Sequence, residues 1–237
     1  MYFDENASPI RPIAAFDVDG TLTWTDSFML FLRFVAGRWG FMARIVALTP
    51  VFFAYLFRLR DRDATKNLIL TAFLKGISEP RYQQYCKEFA RAAYPIISRP
   101  DALARLNSHL GVRDAVALVS ASLEGYLLPW AESIGVETVL ATRMQIENGV
   151  LTGLMLGPNC RCEQKVVRIR GRFGNAPIVA AYGDSRGDTE MLGAAQNPGL
   201  LVFEEAPANR RAVLWNMYFG DLLERRAQRE QGMGDMS

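Results

Sequence analysis

Residues 13–23, Ile13-Ala14-Ala15-Phe16-Asp17-Val18-Asp19-Gly20-Thr21-Leu22-Thr23, decide how the chain reads. Four apolar residues run into two carboxylates separated by one residue, and a glycine follows at once. That order predicts a buried parallel strand ending at a chemical site. Side chains alternate along an extended strand, so Asp17 and Asp19 are expected to face a common ligand. The bland alternative is a strand followed by an Asp19-Gly20 turn that only reverses the chain. What lies further along supplies the partners that a working site needs.

The chain has 237 residues, half of them hydrophobic and 22% charged, which suits one large packed domain or a core with a sizeable insertion. A net charge of +2 does not argue for nucleic acid as a partner. Three cysteines, Cys86, Cys160 and Cys162, make no disulfide framework and point to a reducing, cytoplasmic setting. Cys160-Arg161-Cys162 lacks a second ligand pair for zinc. The single histidine, His109, falls in an expected helix, so serine–histidine chemistry has little support. The start, Met-Tyr-Phe-Asp-Glu-Asn, has neither a basic segment nor an early apolar run, which argues against a secretory signal.

After Thr23 the composition changes. Residues 27–36 and 41–57 are strongly apolar and are joined by Gly37-Arg38-Trp39-Gly40, which predicts a helical hairpin. From Ser27 to Arg60 there are five arginines (Arg33, Arg38, Arg44, Arg58 and Arg60) and no acidic residue. The uncharged run Ile45–Phe57 is shorter than a membrane span requires. Three readings stay open for it: a buried cap helix, a segment in the membrane interface, and a true span. Basic flanks favour peripheral contact with an anionic membrane, here its inner face, and also suit a solvated surface helix. Further helices are expected over 64–75 and from Glu79 onward, with Pro95 and Pro100 as a boundary. The insertion is therefore read as all-helical over 26–94, between core segments 1–25 and 95–237.

From about residue 100 strands and helices alternate. Strands are expected at 115–119 (ending at Ser120), 137–141, 177–182 and 200–203, with helices between them. Residues 144–154 read as a hairpin around Asn148-Gly149, a type I′ turn signal. A helix is expected from Lys165 to about Arg172, another over 189–195, and a last one from Pro207 to about Arg229.

This alternation predicts an α/β fold, a Rossmann-like doubly wound parallel sheet with an inserted helical cap, whose ligands bind beyond the strands' carboxyl ends. Asp17/Asp19, Ser120 and Asp184/Asp188 all fall at such ends, and Lys165 lies between the last two in sequence. The set suits phosphoryl transfer. Asp17 is the candidate nucleophile on phosphorus, and Asp19 the candidate general acid and base. Asp17, Asp19, Asp184 and Asp188 are the candidate ligands of Mg²⁺. Ser120 and Lys165 are expected to bind the phosphate. Asp26, where the insertion should meet the core, is the candidate substrate contact.

Phe16-Asp17-Val18-Asp19-Gly20-Thr21-Leu22-Thr23, the strand to Ser120, Lys165, and Gly183-Asp184-Ser185-Arg186-Gly187-Asp188 resemble the four ordered motifs of the haloacid dehalogenase superfamily. The resemblance extends over roughly 13–203 and implies an Mg²⁺-dependent aspartyl-phosphate phosphatase with Asp17 as nucleophile and Asp19 as acid/base. The insertion after the first motif resembles the cap of the phosphoserine phosphatase-like subgroup. Three positions depart from its serine-specific members. Asp26 replaces a glutamate, Ser120-Ala121-Ser122 replaces Ser-Gly-Gly, and Gly187 replaces an asparagine. The apolar, arginine-flanked cap is more similar to the bacterial phosphatidylglycerophosphate phosphatase branch. The expected substrate is thus an amphiphilic or lipid phosphate. A soluble phosphate such as phosphoserine, or a binding protein with an incidental site, are the alternatives.

Overall fold

The computed structural model describes residues 11–57, 59, 61–200 and 208–220. At its centre stands β1 (Ile13–Phe16), all four residues fully buried. It pairs in parallel with β2 (Ala115–Leu123) on one side and β6 (Ile178–Gly183) on the other. Beyond these lie β3 (Thr138–Thr142) and β7 (Asn197–Leu200), giving the order β3-β2-β1-β6-β7, all parallel. The chain fills one side of β1 and then crosses to fill the other, so the carboxyl end of β1 is the switch point where such sheets bind ligands. The expected doubly wound sheet is present.

Between β1 and β2 run α1 (Ser27–Ala47), α2 (Thr49–Leu56), α3 (Arg62–Leu74), α4 (Glu79–Ile97) and α5 (Pro100–Gly111). The first part of α1 belongs to the core: Phe31 packs against Phe89 of α4 and against Tyr126 of α6 (Glu124–Ser133), with ring centroids 5.3 and 4.8 Å apart. At Gly37 the backbone leaves helical geometry, with φ 67° and ψ 167°, a conformation open to glycine. The expected hairpin turn is therefore a kink at Gly37, and a second bend of 50° falls at Leu48 between α1 and α2.

Beyond that kink the apolar residues change surroundings. α2 has no buried residue, and Trp39, Met42, Val46, Phe53, Leu56, Phe57 and Leu59 are all exposed. The buried-helix reading of this run holds for one face only: Leu48 is buried and Ile45, Val51 and Phe52 pack against the core, while Val46, Phe53, Leu56 and Phe57 are left uncovered. Among the described residues no single helix is long and apolar enough to cross a membrane; α1 and α2 meet that measure only as a bent pair.

Other expectations shift. Pro95 lies inside α4 instead of ending it, because the helix runs to Ile97 while its face stays packed; Tyr94 stacks on Trp130 of α6 at 4.0 Å. β2 continues three residues past Ser120, and β7 lies at 197–200, with 201–203 outside the described residues. The described part of the last helix is α9 (Ala208–Phe219), and its expected continuation to Arg229 also lies outside them. The buried Arg33 guanidinium donates to the Tyr218 and Gly220 carbonyls (3.0 and 2.6 Å), so α9 closes against α1.

The hairpin β4 (Met144–Glu147) and β5 (Val150–Met155) turns at Asn148 and Gly149, both at positive φ, as their order predicts. Its strands leave the main sheet and join the helical insertion. Leu151 exchanges backbone hydrogen bonds with Gly76 and Ile77 at 2.9 Å, and Asn67 on α3 accepts from the Met155 N–H at 2.9 Å.

Candidate active site

The site forms where β1 ends. The Val18 carbonyl accepts from the N–H groups of Thr21, Leu22 and Thr23 (3.2, 2.8 and 3.0 Å), which curls the chain tightly after the strand. Gly20 sits in that curl at φ 85°, and a Cβ there would lie 2.0 Å from Asp184 Oδ2. Glycine is thus required twice, for the backbone and for the approach of Asp184.

β1, the end of β6 and α7 (Glu163–Phe173) bring Asp17, Asp188 and Lys165 into one buried cluster. Lys165 Nζ lies 2.5 Å from Asp17 Oδ1 and 2.5 Å from Asp188 Oδ1. Burial alone would lower the lysine's pKa, but the two carboxylates outweigh it and raise it, so the ammonium stays charged. Asp188 is fully buried and also accepts from Ser185 N–H (3.0 Å) and Oγ (2.8 Å), which fixes its orientation. Its side chain therefore serves the site and does not cap α8 (Thr189–Gly193). Desolvation pushes the Asp17 carboxyl up to about 6 despite the opposing charge of Lys165. At neutral pH it is mostly ionised, as a nucleophile must be.

Carboxylate oxygens of Asp17, Asp184 and Asp188 lie within 4.8 Å of one another. Three hard oxygen donors at the mouth of a strand suit a divalent cation such as Mg²⁺. The opening left by Gly20 gives Asp184 room to stand there. Asp19, expected among these ligands, does not bring its carboxylate to the cluster. The strand ends at Phe16, so alternation does not extend to residue 19, and the curl turns Asp19 toward the insertion. There Oδ1 accepts from the Ser27 N–H at 3.0 Å, at the start of α1, and Oδ2 accepts from Ser122 Oγ. Burial, with the nearby Asp26 charge, pushes its carboxyl up to about 7, while the bonds from Ser122 and Ser27 oppose the rise. The two aspartates are thus separated into a charged one beside a lysine and one that can hold a proton at neutral pH.

Ser120 is buried in β2 and lines the same cavity, its Oγ accepting from the Ser122 N–H at 3.1 Å. A serine hydroxyl that accepts one bond still has its hydrogen to donate, which suits a bound oxyanion. Asp26 lines the cavity too, and its Oδ1 caps α1 by accepting from Phe28 and Met29 (2.8 and 3.3 Å). His109 has the structural role expected of it, bridging Asp114 (2.7 Å) and Tyr182 (2.9 Å) away from the cavity.

The cavity holds about 430 Å³ between sheet and insertion. Phe28, Phe52, Tyr55, Arg62 and Lys66 form its far side. Sequence reasoning missed Lys66, on α3. It donates to the Ala121 carbonyl and to Asn159 Oδ1 (3.0 Å), and lies 4.9 Å from the Phe28 ring centroid. A signal existed: Lys66 shares a helical face with Ile69, Leu70 and Phe73, all buried, so it is a cation on an apolar stripe.

Parallel sheet, inserted helices, and carboxylates gathered with a lysine at the switch point define a hydrolase of the phosphoserine phosphatase-like α/β architecture. The model of haloacid dehalogenase-like hydrolases matches residues 14–193, and the chain belongs to that family. It is 38% identical over 199 residues to protein CicA of Caulobacter vibrioides, covering 83% of this chain and 88% of that one. A crystal structure of a protein of unknown function from Bordetella pertussis Tohama I superposes with a TM-score of 0.67 at 26% identity, covering 87% and 96% of the two chains. A substrate-bound phosphoserine phosphatase shares the fold at 18% identity and a TM-score of 0.54, covering 78% and 83%.

Proposed function

We propose that this hydrolase is an Mg²⁺-dependent phosphomonoesterase that works through an aspartyl-phosphate, acting on an amphiphilic or lipid phosphate such as phosphatidylglycerophosphate. The observation that carries the reaction is the division between Asp17 and Asp19. Asp17 Oδ attacks phosphorus as the P–O bond to the leaving alcohol breaks, and Asp19 gives that alkoxide its proton. A water then attacks the aspartyl-phosphate, losing its proton to Asp19 and releasing phosphate with the Asp17 carboxylate restored. Lys165 and the Ser120 hydroxyl would hold the phosphoryl oxygens. Bound through Asp17, Asp184 and Asp188, Mg²⁺ would offset the repulsion between carboxylate and phosphate.

The amphiphilic substrate is supported by the exposed apolar elbow of α1 and α2, which lies on the insertion that also forms the cavity wall. Phe52 and Tyr55 of α2 line that cavity, while Phe53, Leu56 and Phe57 of the same segment face outward. With Arg38 and Arg44 beside it and no acidic residue between Ser27 and Arg60, the elbow suits peripheral contact with an anionic membrane. The test is a panel of phosphomonoesters, including phosphatidylglycerophosphate and phosphoserine, assayed with Mg²⁺ and with chelator. Turnover of the lipid with Mg²⁺, lost in chelator and in Asp17→Asn, is the expected result. Preference for phosphoserine would move the substrate to the soluble alternative. Undiminished turnover by Asp17→Asn would overturn the mechanism.

A further inference from the structure

Two lysines meet the cavity, and their charges are met in opposite ways. Lys165 has two carboxylates at 2.5 Å. Lys66 is partly buried as well, yet among the described residues it makes no ion pair: its partners are a backbone carbonyl, an amide oxygen and the face of Phe28. The nearest carboxylates are committed elsewhere. Asp26 accepts from the Phe28 and Met29 N–H groups, Asp63 from the Asn159 N–H at 3.3 Å, and Asp19 from Ser27 and Ser122. Asp26, Asp19 and Asp63 act on Lys66 from nearby, but none is in ion-pair contact with it, and an ammonium largely removed from water gains from any anion that reaches it directly. Burial lowers the Lys66 pKa to about 8, and the nearby charges of Asp26, Asp19 and Asp63 oppose that shift without cancelling it.

Lys66 reaches the cavity from the insertion, whereas Asp17, Lys165 and Asp188 reach it from the sheet side of the chain, and the charge of Asp19 is near enough to act on Lys66. If Asp19 protonates the leaving oxygen, what Lys66 meets is the remainder of the leaving group. Resting on the phosphatase reading above, we propose that Lys66 anchors a second anionic group carried by the substrate's alcohol portion. The enzyme would then select phosphomonoesters whose leaving group bears its own phosphodiester or carboxylate. Such an oxyanion would replace the Asn159 amide oxygen, a neutral acceptor, with a charged one, and charge-assisted bonds are about twice as strong. Arg62 lines the same wall; its Nε donates to Tyr55 Oη at 2.6 Å, leaving its other N–H groups toward solvent to assist.

The experiment compares kcat and KM for four phosphomonoesters: glycerol 3-phosphate, phosphoserine, glycerophosphoglycerophosphate and dihexanoyl phosphatidylglycerophosphate. The first has a neutral leaving group, the second a carboxylate and an ammonium, and the last two a phosphodiester without and with acyl chains. Wild type should favour a phosphodiester-bearing substrate over glycerol 3-phosphate in kcat/KM. Lys66→Met should cut that preference by about ten- to hundredfold, mainly through KM. Lys66→Arg should retain most of it. Comparing the last two substrates separates a lipid headgroup from a soluble phosphodiester as the source of the anion, and phosphoserine tests a carboxylate in the same place. Turnover of glycerol 3-phosphate with no wild-type preference for a second anion would overturn the proposal while leaving the phosphatase reading intact. So would a Lys66→Met variant that slows all four substrates alike. Turnover of none of them would count against the phosphatase reading itself. Should Lys66→Met fail to fold, the wild-type preference and the Lys66→Arg variant decide the matter.

Discussion

The two ends of the cavity differ in how their charge is settled. At the sheet end Lys165 pairs with both Asp17 and Asp188 at 2.5 Å, and Ser185 bonds to Asp188. At the insertion end the carboxylates lean on neutral N–H and O–H groups, and Lys66 on neutral oxygens. The first arrangement holds its side chains by direct ion pairs, and with Asp184 it has more carboxylates than ammonium groups, a surplus that suits a divalent cation. The second meets its charges at hydrogen-bond distance with neutral groups alone, and on the proposal above it is where a second anion of the substrate would be bound. On that proposal the sheet supplies the chemistry and the insertion the choice of substrate.

The comparison is broken most severely at its sheet end. Asp17→Asn removes the proposed nucleophile, and kcat should fall by at least about a thousandfold with Mg²⁺ present. Steady-state phosphate release measures it, with circular dichroism to show the fold intact. Lys165→Met leaves two buried carboxylates facing each other. Breaking a buried ionic network from one side should cost about 3–5 kcal/mol, read as a lower midpoint of urea unfolding.

Asp19 lies between the two ends and gives a smaller effect of opposite sign. Its carboxyl is held near 7 in the fold against an ordinary 3.8. A group raised in this way stabilises the fold at low pH, and that contribution is lost as pH rises through about 7. In chelator, Asp19→Asn should therefore be more stable than wild type at pH 8 by about 1–2 kcal/mol, after discounting for partial exposure, and the gain should vanish near pH 4. Thermal melts across pH would show a rise of about 3–6 °C at pH 8, and a variant destabilised there would contradict the assignment. As general acid the same carboxyl predicts that kcat/KM falls as pH climbs above about 7.

The smallest effect on the fold is expected at the elbow. Trp39→Ser with Leu56→Ser should change stability by no more than about 0.5 kcal/mol, since both side chains are exposed. Binding to vesicles containing anionic lipid should nevertheless weaken, as sedimentation with liposomes would show. Equal retention of wild type and variant, or no retention of either, would remove the membrane contact.

Much of the sheet end was legible in the sequence. Ile13–Phe16 is apolar throughout because β1 is covered on both faces, and a buried parallel strand needs no alternation. Asp17 and Asp184 follow strands directly and Ser120 lies within the carboxyl-terminal part of β2, so locating the strands located them. Asn148-Gly149 specified its turn because few residues accept positive φ at both central positions. Less was legible where a residue's role depends on which way the chain turns. Asp19 reads as a partner of Asp17 until the curl at Val18 sends it to the start of α1. The 144–155 hairpin reads as part of the sheet domain until its pairing with residues 76–79 attaches it to the insertion. Lys66 carries no motif at all.

What the sequence by itself determined is therefore local: strand hydrophobicity, turn chemistry, and the order of carboxylates and lysine along an α/β chain of this family. These follow from periodicity and from the few backbone conformations each residue type accepts. It took the packed chain to show that Asp19 faces the insertion, that one face of the α1–α2 elbow is left uncovered, and that Lys66 reaches the cavity with no carboxylate in ion-pair contact among the described residues. Those are properties of packing, set by which elements meet across long stretches of chain. No spacing along a single sequence records them.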